Sequence, residues 1–433
     1  MKREREREAI ETREQDKASV VRTPSHAGIV ERLEAGGRGA FVESVEDNHM
    51  TLNMGPVHPS THGVLRLLLE LDGETVVQCR PIIGYLHTGM EKECEDQTWR
   101  GAVTIVTRMD YLSPFFNEQA YSLAVEALLG IEVPPRGRYI RTLLMELNRL
   151  SSHVVWFGTQ GLDMGAISPM FYGFREREVI LDFFEMVTGL RMNHGFIIPG
   201  GVWEDLPEGW EPAIRSILRM LSERFDDYEQ LMSLNPIFLE RTKGIGVITK
   251  DEALQLGTSG PIARAAGIDW DLRRDMPYAA YPDVEFEVAT EEEGDNYARY
   301  LVRMREMRES LKILDQIVDG MPGGDFKNMD PKIMPPPRSE LNRSMEAVIH
   351  HFKLVTQGYT VPAGDAYRAV ESPRGELGAY VVSDGGSAPY RVHVRDPSFV
   401  NLQSLATMAV GGLVADLITT IAALDPIMGG VDR

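Results

Sequence analysis

Ile140, Leu143, Leu144, Leu147, Leu150 and Val154 recur at intervals of three and four, as one buried face of a long helix requires. Val179, Ile180, Phe183, Phe184, Val187 and Leu190 repeat the pattern on a second long helix. Residues 212–232 and 294–319 supply two more. Several such stripes in one chain predict a bundle of long helices. Gly200-Gly201, Gly323-Gly324 and the Pro335–Pro337 run punctuate it.

Both ends of the bundle read differently. Leu65–Leu71 and Thr75–Cys79 flank Asp72-Gly73, a hairpin signal. Glu91–Arg100 reads as helical. Near the other end, Ala366–Glu371, Leu377–Ser383 and Arg391–Arg395 read as short strands, with a turn at Ser383-Asp384-Gly385-Gly386 between the last two. The fold class is therefore α+β. The expected organisation is a polar extension over 1–50, an α/β region over 51–110, a helical bundle over 111–360, and a β region with a tail helix over 361–433.

That tail, Leu405 to Leu424, holds twenty residues with Asp416 as its single charge. Its length suits a membrane-spanning helix. Asp416 at mid-segment would cost about 2.5–3.5 kcal/mol there, and no Lys or Arg flanks it closely. A buried core helix is the expectation.

Composition narrows function. The net charge is −20, and 36 of the 45 basic residues are arginine. An acidic chain of this kind is not expected to bind nucleic acid, which rewards clustered positive charge. The acidity fits a salt-rich cytoplasm and an ordinary solubility bias alike. Cys79 and Cys94 stand fifteen residues apart with no C-x-x-C pair. They predict a reducing compartment without a disulfide framework, and they are too few to ligate an iron–sulfur cluster. The first residues, MKREREREAIETREQDK, lack the apolar core of a signal peptide.

Four short stretches carry chemistry-bearing groups. Gly55-Pro-Val-His58-Pro-Ser-Thr-His62-Gly63 offers two histidines four apart. Pro59 argues against a helix interior, and no Glu lies between the histidines as in H-E-x-x-H, so shared zinc is disfavoured. The stretch reads either as a loop whose imidazoles bond backbone groups or as one that presents them to a ligand. Gly84-Tyr-Leu-His87-Thr-Gly-Met-Glu91-Lys92, Arg108-Met-Asp110-Tyr111 and Gly161-Leu-Asp163-Met-Gly follow. Taken singly, each reads as structural, since Arg–Asp pairs and amphipathic tyrosines mostly serve packing.

Together they carry a resemblance. NMGPVHPSTHGVLR (53–66), YLHTGMEK (85–92), RMDYLSPF (108–115), NEQAYSLAVEALLGI (117–131), FREREVILDFFE (174–185), HHFKLVTQGYTVPAG (350–364) and ESPRGELGAYVVSDGGSAPYR (371–391) stand in order. Residues 51–433 thereby resemble the 49 kDa subunit family of complex I, the NADH-quinone oxidoreductase. The resemblance implies a fold like the large subunit of nickel–iron hydrogenases, with a central long-helix bundle between small β-containing regions. Hydrogenases hold their metal with a C-x-x-C pair near each end. The corresponding regions here look like Arg108–Tyr111 and Asp425-Pro426-Ile427-Met428-Gly429-Gly430, and neither contains Cys. Without thiolates there is no soft ligand set for nickel, so no metal is expected in this chain and an active hydrogenase is excluded. Glu371-Ser-Pro-Arg374-Gly375 looks like a hydrogenase remnant kept for packing.

In the family, the vacated cavity receives a quinone headgroup. The resemblance implies His62 and Tyr111 as its hydrogen-bonding and proton-donating partners, Asp163 as the carboxylate beside His62, and His58 as a further polar group. Imidazole and phenol, with ordinary pKa values of about 6.5 and 10, can both bond a carbonyl and deliver a proton. Electrons would come from a 4Fe–4S cluster in the neighbouring B subunit, with Arg108 close to it. Two departures from the family stand out. The family often has His directly after Arg-Met near the end of the second long helix, whereas Asn193 follows Arg191-Met192 here, with His194 next. Glu93 occupies a site that is usually apolar.

The implied partners are complex I subunits B, C and I and the membrane subunits H and A. The implied location is peripheral, on the cytoplasmic face of the cell membrane. The equivalent component of a coenzyme F420- or ferredoxin-driven complex remains an alternative, because the donor does not touch this chain. A scaffold without catalysis is the third reading, against which the joint presence of His62, Tyr111 and Asp163 argues.

Overall fold

The computed structural model describes residues 49–55 and 63–433. His58 and His62 lie outside the described residues, as does the polar extension before residue 49. The first sheet is antiparallel: β1 (His49–Met54), β2 (Arg66–Asp72) and β3 (Thr75–Ile82) in that order. Leu67, Leu69 and Leu71 alternate inward along β2, and Asp72-Gly73 makes the expected turn.

Long helices follow: α1 (Pro114–Leu129), α2 (Pro135–Asp163), α3 (Ser168–Thr188), α4 (Trp210–Tyr228) and α5 (Asn296–Asp319). The periodic residues of α2 are all fully buried, and α2 packs along both α3 and α5. On α3 the buried stripe is Ile180, Phe183, Phe184 and Val187, while Val179 and Leu190 are exposed. The expected face was one residue too wide at each end. Gly189, at positive φ (80°), caps α3, so Leu190 already lies beyond the helix.

A second antiparallel sheet packs on α1: β4 (Gly364–Ser372), β5 (Gly375–Ser383) and β6 (Arg391–Arg395). All three strands match their expected positions. The chain closes with α6 (Pro397–Leu402), α7 (Leu405–Ala409), α8 (Val414–Leu424) and α9 (Met428–Asp432). Glu91–Arg100 is helical only over Met90–Glu95, and Glu93 there is exposed. Its charge therefore meets water where an apolar residue is usual.

The single twenty-residue tail helix is a correction. It breaks between α7 and α8 because its backbone is needed elsewhere. Gly411 N–H donates to the Val76 carbonyl, and Val76 N–H donates to the Gly412 carbonyl (2.8 Å each). Val414 N–H bonds Glu74 (3.2 Å). Gly411 adopts positive φ (84°), which glycine tolerates. Among the described residues, no helix is long and apolar enough to cross a membrane.

The break has a packing consequence. Leu65, Leu67, Leu69, Leu71, Val76 and Cys79 of the first sheet share one core with Leu402, Leu405, Met408, Leu417, Ile421, Leu424, Met428 and Val431. A larger core joins α1–α5 to the second sheet.

Within the bundle, α2 carries Glu146, Arg149 and His153, all fully buried. Glu146 accepts from Tyr281 (2.5 Å) and from Ser310 of α5 (2.6 Å), and pairs with Arg149 (3.2 Å). His153 meets Glu306 of α5 at 2.9 Å. Arg264 joins Glu306 (2.5 Å) to Glu371 of β4 (2.7 Å), and Arg149 donates to the Glu371 carbonyl (2.6 Å). Buried charges persist when each is paired and bonded. This network fixes the β4–β5 hairpin, and thereby Arg374, against the bundle.

Candidate functional site

The two segments that stand where hydrogenases carry cysteines meet around one guanidinium. Arg374, in the tight turn between β4 and β5, is 1% exposed. Its Nη1 pairs with Asp110 Oδ2 (3.0 Å) and its Nη2 with Asp425 Oδ2 (3.0 Å), while Nε donates to the Asp425 carbonyl (3.0 Å). The stretch expected to serve packing is thus an ionic bridge between segments 108–113 and 425–430. Asp110 also accepts from the Ser113 hydroxyl and from the Leu112 N–H (3.2 Å). Asp425 adopts positive φ (54°) as it caps α8, a conformation that Asp tolerates better than most residues.

Tyr111 sits at the rim of this junction, half-buried. Burial raises the pKa of its phenol, with further upward pressure from Asp110 and an opposing pull from Arg374. The phenol therefore stays protonated at neutral pH and available as a donor. It makes no hydrogen bond within the described residues. Its ring stands against Gly429 of α9: a Cβ at that position would lie 3.3 Å from the ring and 2.3 Å from the Met109 carbonyl oxygen.

The histidine-bearing loop joins β1 to β2. Its described feet converge on the same place. Arg66 donates to Asn53 Oδ1 (2.9 Å) and to the Tyr85 hydroxyl (2.8 Å), pinning the strand ends. A Cβ on Gly63, the residue after His62, would lie 3.7 Å from Met428 Cγ, next door to the glycine behind Tyr111. The 84–92 motif is tied to the same terminal helix. Asp432 accepts from Gly84 N–H (2.8 Å) and Leu86 N–H (2.7 Å), and His87 Nδ1 donates to the Asp432 carbonyl (2.7 Å). His87 is thereby a fastening group.

Asp163 is the last residue of α2 and is half-buried. Two turns earlier, Trp156 Nε1 donates to the Ala422 carbonyl of α8 (3.1 Å), anchoring this helix end to the tail. Arg108 is exposed and its guanidinium bonds the Thr104 carbonyl.

Asn193 and His194 lie five and six residues beyond the end of α3, so a helical relation between them does not hold. Asn193 takes positive φ (53°), and its buried Oδ1 has no partner among the described residues. His194 is buried, stacked on Phe115 at 4.0 Å, with Nε2 donating to the Arg191 carbonyl (3.2 Å). Glu118 of α1 locks the following backbone. Its carboxylate accepts from Gly195, Phe196 and Ile197 N–H (2.8–2.9 Å) and from the Thr107 hydroxyl (2.6 Å). Burial nevertheless pushes its pKa up to about 7.

Burial pushes His194 down to about 4. Because the unfolded chain binds a proton near 6.5, stability falls as pH drops from 6.5 towards 4. By pH 5 this one group is expected to remove about 2 kcal/mol. His194→Phe should flatten that part of the denaturation profile between pH 7 and 5. An unchanged acid slope would show that the imidazole is charged in the folded state.

Sequence reasoning missed Arg374, Asp425 and Asp396 as parts of this site. The available signal was that both cysteine-equivalent segments carry an aspartate, which in a buried setting demands a shared cation.

Mixed helix and sheet, with both former metal-ligand segments closed by an Arg–Asp bridge, defines a class of large redox-complex component. The chain belongs to the family described as respiratory-chain NADH dehydrogenase, 49 Kd subunit, whose profile matches residues 163–433. It is similar to the NADH-quinone oxidoreductase D subunit of Acidothermus cellulolyticus, at 54% identity over 91% of this chain and 94% of the relative. The corresponding protein of Mycobacterium sp. (strain KMS), which carries the same name, is 55% identical over 89% and 90%. A further relative of that name, from Salinispora arenicola, is 52% identical over 90% and 93%.

Proposed function

We propose that this chain forms the quinone-reducing site of a complex I-type NADH-quinone oxidoreductase. The observation that carries the reading is the convergence of Tyr111, the feet of the histidine loop and the Arg374 bridge at one end of the bundle. The chain's membership of the 49 kDa family supports the same reading.

The reaction takes a quinone, two electrons and two protons to a quinol. The electrons arrive from a 4Fe–4S cluster held by the neighbouring B subunit, on the side of Arg108 and Asn193. Tyr111 Oη bonds one quinone carbonyl and passes its proton as charge develops there. His62 bonds the other, and Asp163 favours its imidazolium form. His58 is a second polar group of the same loop. The buried bridge behind Tyr111 keeps water out and fixes the phenol. The fold is that of the nickel–iron hydrogenase large subunit with its metal ligands replaced. The protein docks on subunits B, C and I, rests on membrane subunits H and A, and works at the cytoplasmic membrane face.

Tyr111→Phe removes only a hydroxyl and should leave the complex assembled. A lost bond to a neutral ligand group is expected to weaken quinone binding by about 0.5–1.5 kcal/mol, with a larger rate loss where the phenol also donates the proton. His62→Ala should likewise impair quinone reduction, while electron delivery to an artificial acceptor upstream persists in both. Full quinone turnover in both variants would place the site elsewhere.

Neither Asn193 nor buried His194 takes up a proton between pH 6 and 8, so the potential of the neighbouring cluster should change little across that range. Asn193→His should introduce a slope, because an imidazole there couples proton uptake to cluster reduction. Redox titration of the assembled complex measures it. A strong slope in the unmodified protein would contradict the neutral state of His194.

A further inference from the structure

The junction behind Tyr111 holds more carboxylates than it pairs. Asp110, Asp396 and Asp425 are each no more than 2% exposed. Arg374 bridges the first and the last. Arg303, also fully buried, directs its guanidinium to the Ala423 (2.8 Å) and Leu424 (3.4 Å) carbonyls.

Asp396 is left with one hydrogen bond, from Ser398 N–H to Oδ1 (2.7 Å), as the N-cap of α6. Its Oδ2 is buried and has no partner among the described residues. That oxygen faces Gly430 so closely that a Cβ there would lie 2.2 Å from it. The preceding residue, Gly429, is the one whose other side meets Tyr111. Two consecutive glycines of α9 are therefore all that separate this oxygen from the phenol.

An anionic oxygen buried without a donor is costly, and neutralisation relieves the cost. We propose that Asp396 is a proton-binding carboxyl of the Tyr111 site, taking up one proton on Oδ2 when negative charge develops at the phenol. The inference rests on Tyr111 being the quinone partner. The step forms one O–H bond with a proton from solvent, and no electron changes hands at Asp396.

The groups facing it favour this role. Burial acts first, and Asp110, from the segment before α1, adds upward pressure. Ser398 N–H, Arg374 from the β4–β5 turn and Arg433 at the end of the chain oppose it, leaving the carboxyl at about 6. Asp396 is then mostly ionised at neutral pH and poised to accept a proton when a further negative charge appears.

The N-cap role needs only Oδ1, which asparagine supplies equally well. Asp396→Asn in the assembled complex therefore separates capping from protonation. In the unmodified complex, the infrared carbonyl absorption of protonated carboxyls should grow between pH 7.5 and 5.5, and the variant should lack one carboxyl's share of it. For a group near 6, the ionised fraction changes about fourfold across that range, so the pH profile of quinone reduction should change by up to that factor between the two proteins. An unchanged infrared difference overturns the proposal, and so does a lost band with an unchanged profile. Tyr111→Phe keeps the outcomes apart: full turnover in that variant defeats the quinone reading, while the infrared band still reports on Asp396.

Discussion

Arg374→Met is expected to abolish or severely reduce assembly, costing about 3–5 kcal/mol of stability. The size follows from what remains, not only from what is removed. Asp110 and Asp425 would both stay buried, each having lost its guanidinium partner at 3.0 Å, with Asp396 buried nearby. Methionine fills much of the volume, so the loss reports charge rather than a cavity. Arg374→Lys should recover only part of it, because an ammonium cannot reproduce the planar fork that reaches Asp110, Asp425 and the Asp425 carbonyl together. Adding Asp110→Asn to Arg374→Met should restore part of the stability by removing one unpaired charge. Thermal denaturation and the yield of assembled complex measure each step. If Arg374→Met assembles normally and melts with the unmodified protein, the bridge is not what holds the two segments together.

Gly429→Ala is expected to spare most of the fold and to damage turnover. The new methyl would lie 2.3 Å from a backbone oxygen and 3.3 Å from the Tyr111 ring. Backbone cannot swing aside as the end of a side chain can, so segment 109–111 or α9 must move. Overpacking of this kind costs typically about 1–3 kcal/mol. The part that gives is the part carrying the phenol, so quinone reduction should fall at least about tenfold, equivalent to 1.4 kcal/mol in the barrier. Assembled complex with unaltered quinone kinetics would show that the contact is slack.

What could be read from the sequence was what local periodicity encodes. Helix α2 stands where its three-and-four spacing put it, and the Asp72-Gly73 hairpin and all three strands of the second sheet stand as expected. The features that escaped were set by distant partners. The tail broke because Gly411 and Gly412 bond β3, more than 300 residues earlier in the chain. Arg374 meets Asp110 across 264 residues, and no spacing rule reaches so far. The misplaced end of α3 was a different kind of miss: Gly189 was a legible stop signal, and Asn193 was read as though the helix continued past it. At the site, the sequence named Tyr111 and Asp163 through resemblance. The carboxylates surrounding Arg374 became a cluster only once the two halves of the fold were brought together.

The core shared by the first sheet and the tail also sets a timetable. Leu65, Leu67, Leu69 and Leu71 find their apolar partners only when residues 402–431 exist, roughly 330 residues later. At about 5–20 residues per second, synthesis takes on the order of 20–60 seconds to deliver them. A small sheet without its packing surface is marginal in water, so this leucine row waits uncovered while the bundle is being made. The earliest-made strands are therefore among the last to be secured. A chain stalled before α7 would present a sticky, unpaired sheet to whatever holds nascent polypeptides in the cell.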